Sequence, residues 1–335
     1  MNPWILFSFL VSFFMTFFLI QIWIKKSKVR KFLWRDMNKY NSPKNVVASG
    51  GIVVVLSFVL GVLSYIGFKT FFVKAYDGEV LSIFALLTVV LIISIVGVID
   101  DLWDWNSGGM AKKWRLILAF FASIPLVVIN AGTSTINLPV LGVVNFGLFY
   151  PLVMVPIGIV GAATTYNFLA GMNGLETSQG ILVLSFLSYV AYITGSPWIS
   201  VVGLIMVFSL AAFYIFNKFP SQVFPGDSLT WSVGALIAIM SILGNFEKIA
   251  VFVFIPYIIE FGLKTRGKLN KQSFGKPNKD GSLDMPYDKI YGLTHLGIYI
   301  LKKIKPSKKA YEKEVVYLIN LFQIAIIVAG FFFVL

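Results

Sequence analysis

Runs of apolar residues long enough, or nearly long enough, to cross a hydrocarbon layer recur about ten times along the chain, counted against the ~20 residues a spanning helix needs. They lie near 3–24, 50–68, 81–99, 115–130, 147–165, 180–195, 198–216, 230–244, 248–264 and 315–335. Backbone amides in lipid must be satisfied within their own segment, and these runs are too long for barrel strands. The pattern therefore predicts an all-α fold, a polytopic transmembrane helical bundle of about ten spans. Some runs are short or carry Pro125, Pro151, Pro156 or Pro256, so their ends are loose, and one of them fits a re-entrant segment as well as a full span. No internal repeat and no linker divides the chain, which reads as a single integral membrane domain over 1–335. Its one large polar excursion lies at about 265–314, where the turn-rich GKPNKDGS stretch (Gly275 to Ser282) predicts a loop.

Lysine and arginine set the orientation. Twenty-five of the 28 basic residues fall after the first, third, seventh and ninth spans, and only Lys69, Lys74 and Lys248 fall on the opposite side. By the positive-inside rule the basic loops are cytoplasmic, and with an even number of spans both termini then lie on the outer side. The first span has no basic residue before it and a basic cluster after it. That polarity is wrong for a signal peptide, so the span is expected to be retained.

Composition agrees. Of 335 residues, 58% are hydrophobic and only 13% charged, an apolar excess that a water-soluble core of this length has no surface to cover. The bilayer is thus the expected solvent. The formal charge of +13 would suit a nucleic-acid binder, but the bases flank apolar spans, so no nucleic-acid partner is expected. The absence of cysteine excludes disulfides, thiolate metal sites and a cysteine nucleophile.

Polar chemistry concentrates on the side the basic residues mark as cytoplasmic. Asp100, Asp101 and Asp104 crowd the C-terminal end of the third span in GVIDDLWDW. There they face the negative end of the helix dipole and one another, so something positive must offset them. On spacing alone, a solvated acidic helix end paired with Lys112, Lys113 or Arg115 fits as well as a metal ion or a cationic pocket for phosphates. Thr164 to Gly180 (TTYNFLAGMNGLETSQG) interrupts two apolar runs with two asparagines, three glycines and a glutamate. Each asparagine taken alone fits an ordinary cap or turn. Asp227 in VFPGDS could likewise be an N-cap of the eighth span, and such a helix start also suits an anion. Carboxylates and amides gathered on one face can hold Mg²⁺, which prefers oxygen ligands and keeps water and phosphate oxygens in its shell. Zinc is disfavoured, because His295 is the sole histidine.

In these segments the chain resembles the polyprenyl-phosphate N-acetylhexosamine-1-phosphate transferase family. DMNK (Asp36 to Lys39), SGGI (Ser49 to Ile52), GVIDD (Gly97 to Asp101), NFLAGMNGLE (Asn167 to Glu176) and PSQVFPGDS (Pro220 to Ser228) occur in the family's order along most of the chain. LAGMNGLE and SLDMPY (Ser282 to Tyr287) are more similar to the eukaryotic and archaeal UDP-N-acetylglucosamine:dolichyl-phosphate enzymes than to the bacterial peptidoglycan-precursor translocase.

The resemblance implies a reaction: a polyprenyl-phosphate oxygen attacks the sugar-linked phosphorus of a UDP-N-acetylhexosamine, giving polyprenyl-diphospho-sugar and UMP. It implies Mg²⁺ as cofactor, with Mn²⁺ as a substitute, held by Asn167 and Asp227. It implies Asp100 and Asp101 as the essential acidic pair, and Arg115 or Lys113 as a base against the diphosphate. Gly171, Asn173 and Phe224 match uridine-holding positions, and Lys39, Asp104 and Lys276 are the further substrate-binding candidates. Relatives often pair as homodimers, although no residue pattern here demands it.

Departures exist. The last cytoplasmic loop offers Lys268, Lys271, Lys276 and Lys279 where relatives carry histidine- or arginine-rich motifs, and lysine lacks the bidentate fork. Asn45 or a small residue stands where many relatives have a glutamate. The insertion that eukaryotic relatives carry before the last span is missing, which points to an archaeal or bacterial cell membrane. The competing class is a transporter or flippase for a lipid-linked sugar. That class would need charged residues at mid-membrane and pseudo-repeats, and only Glu260 lies well inside a span.

Overall fold

The computed structural model describes residues 3–74, 78–138 and 142–333. The last two residues of the expected tenth span lie outside the described residues. Among the described residues, seven helical stretches are long and apolar enough to cross a membrane: Pro3–Val29, Gly51–Val73, Glu79–Asp104, Tyr150–Phe168, Pro197–Asn217, Asp227–Gly244 and Glu312–Phe332. The other three expected runs are helical but broken or more polar. One divides into Lys112–Ala122 and Ile124–Val128 and another into Glu247–Val253 and Ile255–Arg266. Pro125 and Pro256 each sit in the first turn of the second piece, where a proline can begin a helix but cannot continue one. The third, Leu175–Ile193, opens on the polar LETSQG.

The helices are labelled α1 (Pro3–Val29), α2 (Gly51–Phe68), α3 (Glu79–Ser107), α4 (Lys112–Ala122), α5 (Ile124–Val128), α6 (Val155–Phe168), α7 (Leu175–Ile193), α8 (Pro197–Asn217), α9 (Asp227–Gly244), α10 (Glu247–Val253), α11 (Ile255–Arg266), α12 (Leu293–Ile304) and α13 (Glu312–Phe333). Helix α9 is the hub. It packs against α2, α3, α6, α7, α8 and α10, and 83% of its apolar window is buried, against 28% for α1 and for α13. A helix buried all round is fixed by every neighbour, so whatever its first turn carries is fixed too.

Three small antiparallel sheets accompany the bundle: β1 (Leu33–Arg35) with β2 (Lys44–Val47), β3 (Thr135–Leu138) with β4 (Gly142–Asn145), and β5 (Lys276–Pro277), β6 (Ser282–Asp284) and β7 (Ala310–Tyr311) in the order β5-β6-β7. The polar excursion read as a loop thus holds all three strands of the β5-β6-β7 sheet and the amphipathic α12. Its turn-rich stretch is the β5–β6 turn, closed by Asn278, Asp280 and Gly281. The segments 30–49, 169–175, 220–226 and 267–292 gather at one end of the bundle. Bonds from Phe224 N to Val47 O, Lys39 to Glu312 and Ser273 Oγ to Phe168 O tie them together.

Candidate active site

The end of α3 and the start of α9 meet almost backbone to backbone. A Cβ on Gly97 would lie 2.5 Å from the main-chain nitrogen of Ser228, so only glycine permits this approach. Gly226 precedes α9 with φ near 71°, and a Cβ there would sit 2.3 Å from Asp101 Oδ2. The close approach lets Asp101 do the work of an N-cap from another helix. Its Oδ1 accepts from Asp227 N at 2.8 Å and its Oδ2 from Ser228 N at 3.5 Å. Ser49 Oγ donates to the same carboxylate. Two of the four N–H groups orphaned at the start of α9 are satisfied in this way.

Asp100 points the other way. Its Oδ1 accepts from Met110 N, while Arg115 Nη1 donates to Asp100 Oδ2 at 2.7 Å and to Asp227 Oδ2 at 2.8 Å. Of the three cations offered by sequence spacing, Arg115 pairs the acids. Lys112 instead donates to Leu269 O and Asn270, and Lys113 is exposed with its ammonium 5.8 Å from the ring of Trp114. Asn167, at the end of α6, accepts from Thr230 Oγ1 at 2.9 Å, one turn along from Asp227 on α9.

These groups line a polar cavity of about 510 Å³. Of the residues selected from sequence, Asp100, Asp101, Asp104, Arg115, Asn167, Gly171, Phe224 and Asp227 share it. Lys39, Lys113, Asn173 and Lys276 do not line it. Lys39 is paired with Glu312 at 2.5 Å, Asn173 is buried behind the wall, and Lys276 is exposed on β5. Sequence reading assigned no role to Trp34, Asp36, Glu176 or Phe274, which also line the cavity. Glu176 had a usable signal, an acid in the first turn of a helix that follows a glycine-containing loop. Its carboxylate accepts from Gly171 N at 2.8 Å.

A second cavity of about 730 Å³ runs between α4, α6, α9, α10 and α11. Its walls are apolar, including Leu116, Val160, Ala238, Phe254 and Ile258. It meets the polar cavity at Arg115 and Asn167, which line both. Glu260 is fully buried, but its carboxylate accepts from Leu293 N at 2.6 Å and lies 3.8 Å from Lys264. It anchors α12 to α11 and is not an isolated mid-membrane charge.

A polytopic helical membrane protein whose polar cavity opens into an apolar groove is the class these features define. Residues 83–245 match the glycosyl transferase family 4 profile. A provisionally named UDP-N-acetylglucosamine–dolichyl-phosphate N-acetylglucosaminephosphotransferase of Saccharolobus solfataricus is 34% identical over 295 residues, 87% of this chain and 87% of its own. A protein of the same provisional name from Sulfolobus acidocaldarius is 32% identical over 89% of this chain and 88% of its own. The Dictyostelium discoideum enzyme of that name is 30% identical over 68% of this chain and 63% of its own. The chain belongs to glycosyl transferase family 4.

Proposed function

We propose that the protein transfers N-acetylglucosamine-1-phosphate from UDP-N-acetylglucosamine to a polyprenyl phosphate of the dolichyl type and releases UMP. The observation that carries this reading is the junction of the two cavities at Arg115 and Asn167. A water-soluble diphosphate and a lipid-borne phosphate can meet there with their charged ends together and their remaining parts in solvents of opposite kind. The names of the archaeal relatives support the choice of substrates.

In the reaction a lipid-phosphate oxygen forms a bond to the sugar-linked phosphorus, and the bond from that phosphorus to the UMP oxygen breaks, the electron pair leaving with UMP. A phosphate monoester has a second pKa near ~6, so its oxyanion is available at neutral pH without a strong base. Positioning and charge compensation remain for the protein. Arg115 is already held between two carboxylates and can turn its remaining N–H groups to phosphate oxygens. Asp101 is committed to the start of α9, whereas Asp100 faces Arg115 at the cavity, so Asp100 is the acid of the pair placed to orient the attacking phosphate.

The donor set fits Mg²⁺. Asp227, Asp100 and Asn167 present oxygen atoms to one cavity, and Arg115 Nη1, within hydrogen-bonding distance of both carboxylates, marks a point that calls for positive charge. Among the described residues no three His, Cys, Asp or Glu side chains form a metal cage on their own. Mg²⁺ needs no such cage, since it fills its shell from one or two carboxylates, water and phosphate. Bound by Asn167 and Asp227, it would supply Lewis-acid neutralisation of the diphosphate.

We place the site at the cytoplasmic face of an archaeal-type cell membrane, in a single membrane domain of ten spans with both termini outside. The broken pairs α4–α5 and α10–α11, together with α7, make up the three spans beyond the seven long ones. The test is UMP release by purified protein given UDP-N-acetylglucosamine, a short polyprenyl phosphate and Mg²⁺. Failure with every UDP-amino sugar and polyprenyl phosphate tried would overturn the reading.

A further inference from the structure

One part of the polar cavity's wall is built from two segments outside the helices: the loop 169–174 between α6 and α7, and the segment 271–275 leading into β5. Ser273 Oγ, 3.3 Å from Phe168 O, ties the second to the end of α6, and one buried side chain joins the two segments themselves. Asn38 is 2% exposed, and every polar atom of its amide is engaged. Its Nδ2 donates to Gly171 O at 2.6 Å and to Glu312 Oε1 at 3.4 Å, and its Oδ1 accepts from Gly275 N at 3.0 Å. Glu312, also 2% exposed, receives Asn173 N at 2.8 Å and the ammonium of Lys39 at 2.5 Å. Asn173 Nδ2 reaches Asp36 Oδ2 at 3.3 Å.

The consequence falls on one residue. The N–H of Gly171 is held by Glu176 and its carbonyl by Asn38, so both polar groups of a loop glycine are pinned by buried side chains. Phe274, one residue from the Asn38 contact at Gly275, lies against that glycine, and its ring would touch a Cβ placed there. Met172 and Phe274 both line the cavity. A buried amide that needed only satisfaction could bond within its own loop. This one spends its side-chain bonds on three separate chain segments, each leading to the cavity wall.

We propose that Asn38 and Glu312 are positioning residues that clamp the loop 169–174 to the segment 271–275 and so set the width of the compartment that receives the uridine nucleotide. The assignment to the nucleotide rests on the proposed function; the clamp itself does not. Without the Asn38 amide, Gly171 O and Gly275 N lose their partners together, and the wall loosens at its Gly171–Gly275 end while Lys264 and Thr294 still hold Ser273.

The chain lacks cysteine, so a single introduced thiol reports on one place. Met172, 2% exposed, is replaced in the Met172→Cys variant, and the rate of maleimide labelling is compared in the otherwise unsubstituted protein, with Asn38→Ala and with Glu312→Ala. We expect labelling about 10-fold faster in both combinations. Asn38→Ala alone should raise KM for UDP-N-acetylglucosamine and weaken UMP binding by a similar factor, with KM for the polyprenyl phosphate unchanged. Equal labelling rates in all three proteins overturn the clamp whatever the activity. Faster labelling with unchanged UMP affinity and donor KM overturns its role in the nucleotide compartment. If the unsubstituted protein binds no uridine nucleotide, the proposed function fails, and the labelling rates alone decide the clamp.

Discussion

The carboxylate of Asp101 accepts the main-chain N–H of Asp227 at 2.8 Å, so one acid of the aspartate pair fixes the start of the helix that carries another acid of the site. Asp227 opens the most buried helix of the bundle, and its backbone is held by a neighbour on α3. The division of labour within the pair follows. Asp101 is used up by Ser49, Asp227 and Ser228, while Asp100 faces Arg115 and the cavity.

Removing the Asp101 carboxylate should therefore cost stability as well as turnover. Asp101→Ala leaves two helix N–H groups and a serine hydroxyl without their acceptor, a loss of about 1–3 kcal/mol. Asp101→Asn keeps one acceptor oxygen and should lose less. Thermal unfolding in detergent ranks the parent above Asn and Asn above Ala. An Ala variant that melts with the parent would show that the capping contact carries no weight.

Arg115 holds two carboxylates with one nitrogen, at 2.7 and 2.8 Å. Arg115→Met leaves Asp100 and Asp227 facing each other with no counter-charge, and turnover should fall by roughly 100-fold or more. Arg115→Lys restores charge without the planar fork and should recover only part of the loss. Steady-state UMP release gives kcat for each. Full activity in the Lys variant would mean that a point charge suffices.

Asp227→Asn and Asn167→Ala test the metal assignment. Each changes an oxygen donor at the cavity without removing apolar packing, so both proteins should fold and insert. The Mg²⁺ concentration for half-maximal rate should rise about 10–100-fold, and a chelator should abolish turnover in the parent. Unchanged Mg²⁺ dependence in both variants would remove these residues from the metal shell.

The parts of the site legible in the sequence are those where one short motif carries a whole structural device. GVIDD holds both the glycine that lets α3 approach α9 and the acid that caps it, and PGDS holds the turn and the first residue of α9. The clamp was not legible, because Asn38 and Glu312 lie 274 residues apart and neither stands in an unusual local context. The basic residues were misleading one by one. Lys39, Lys113 and Lys276 share the polar side with Arg115, but only the chain's path decides which cation reaches the acids. The helix breaks at Pro125 and Pro256 were visible as prolines, whereas whether each would kink a span or divide it depended on packing.

His295 makes stability depend on pH. It is fully buried, its Nδ1 accepts from Tyr291 N at 3.3 Å, and its ring meets Tyr287 edge-on. Burial, with the charge of Lys264 adding to it, pushes its pKa down from 6.5 to about 4. Between these values the unfolded chain binds a proton that the folded protein refuses, so stability rises with pH across that window. The contribution is complete above pH 6.5 and is lost as pH falls towards 4. On acidification from pH 7 to 4.5 the parent's unfolding temperature should fall relative to that of His295→Gln, an outcome that parallel curves for the two proteins would contradict.

The apolar groove offers a substitution that separates the two substrates. Gly158 and Gly161 lie on the face of α6 that lines the groove, and a Cβ at either position would meet nothing within 4 Å. A Cβ there clashes with no part of the fold, the groove beyond it has room for a longer side chain, and replacing a helical glycine gains up to ~1 kcal/mol of helix propensity. Gly158→Leu and Gly161→Leu should therefore fold at least as well as the parent while filling space that a polyprenyl chain would occupy. KM for the polyprenyl phosphate should rise several-fold, more for long acceptors than for short ones, with KM for the nucleotide sugar unchanged. If both variants handle long acceptors like the parent, the lipid does not run along this groove, and the junction at Arg115 and Asn167 loses its meaning as the place where two phases meet.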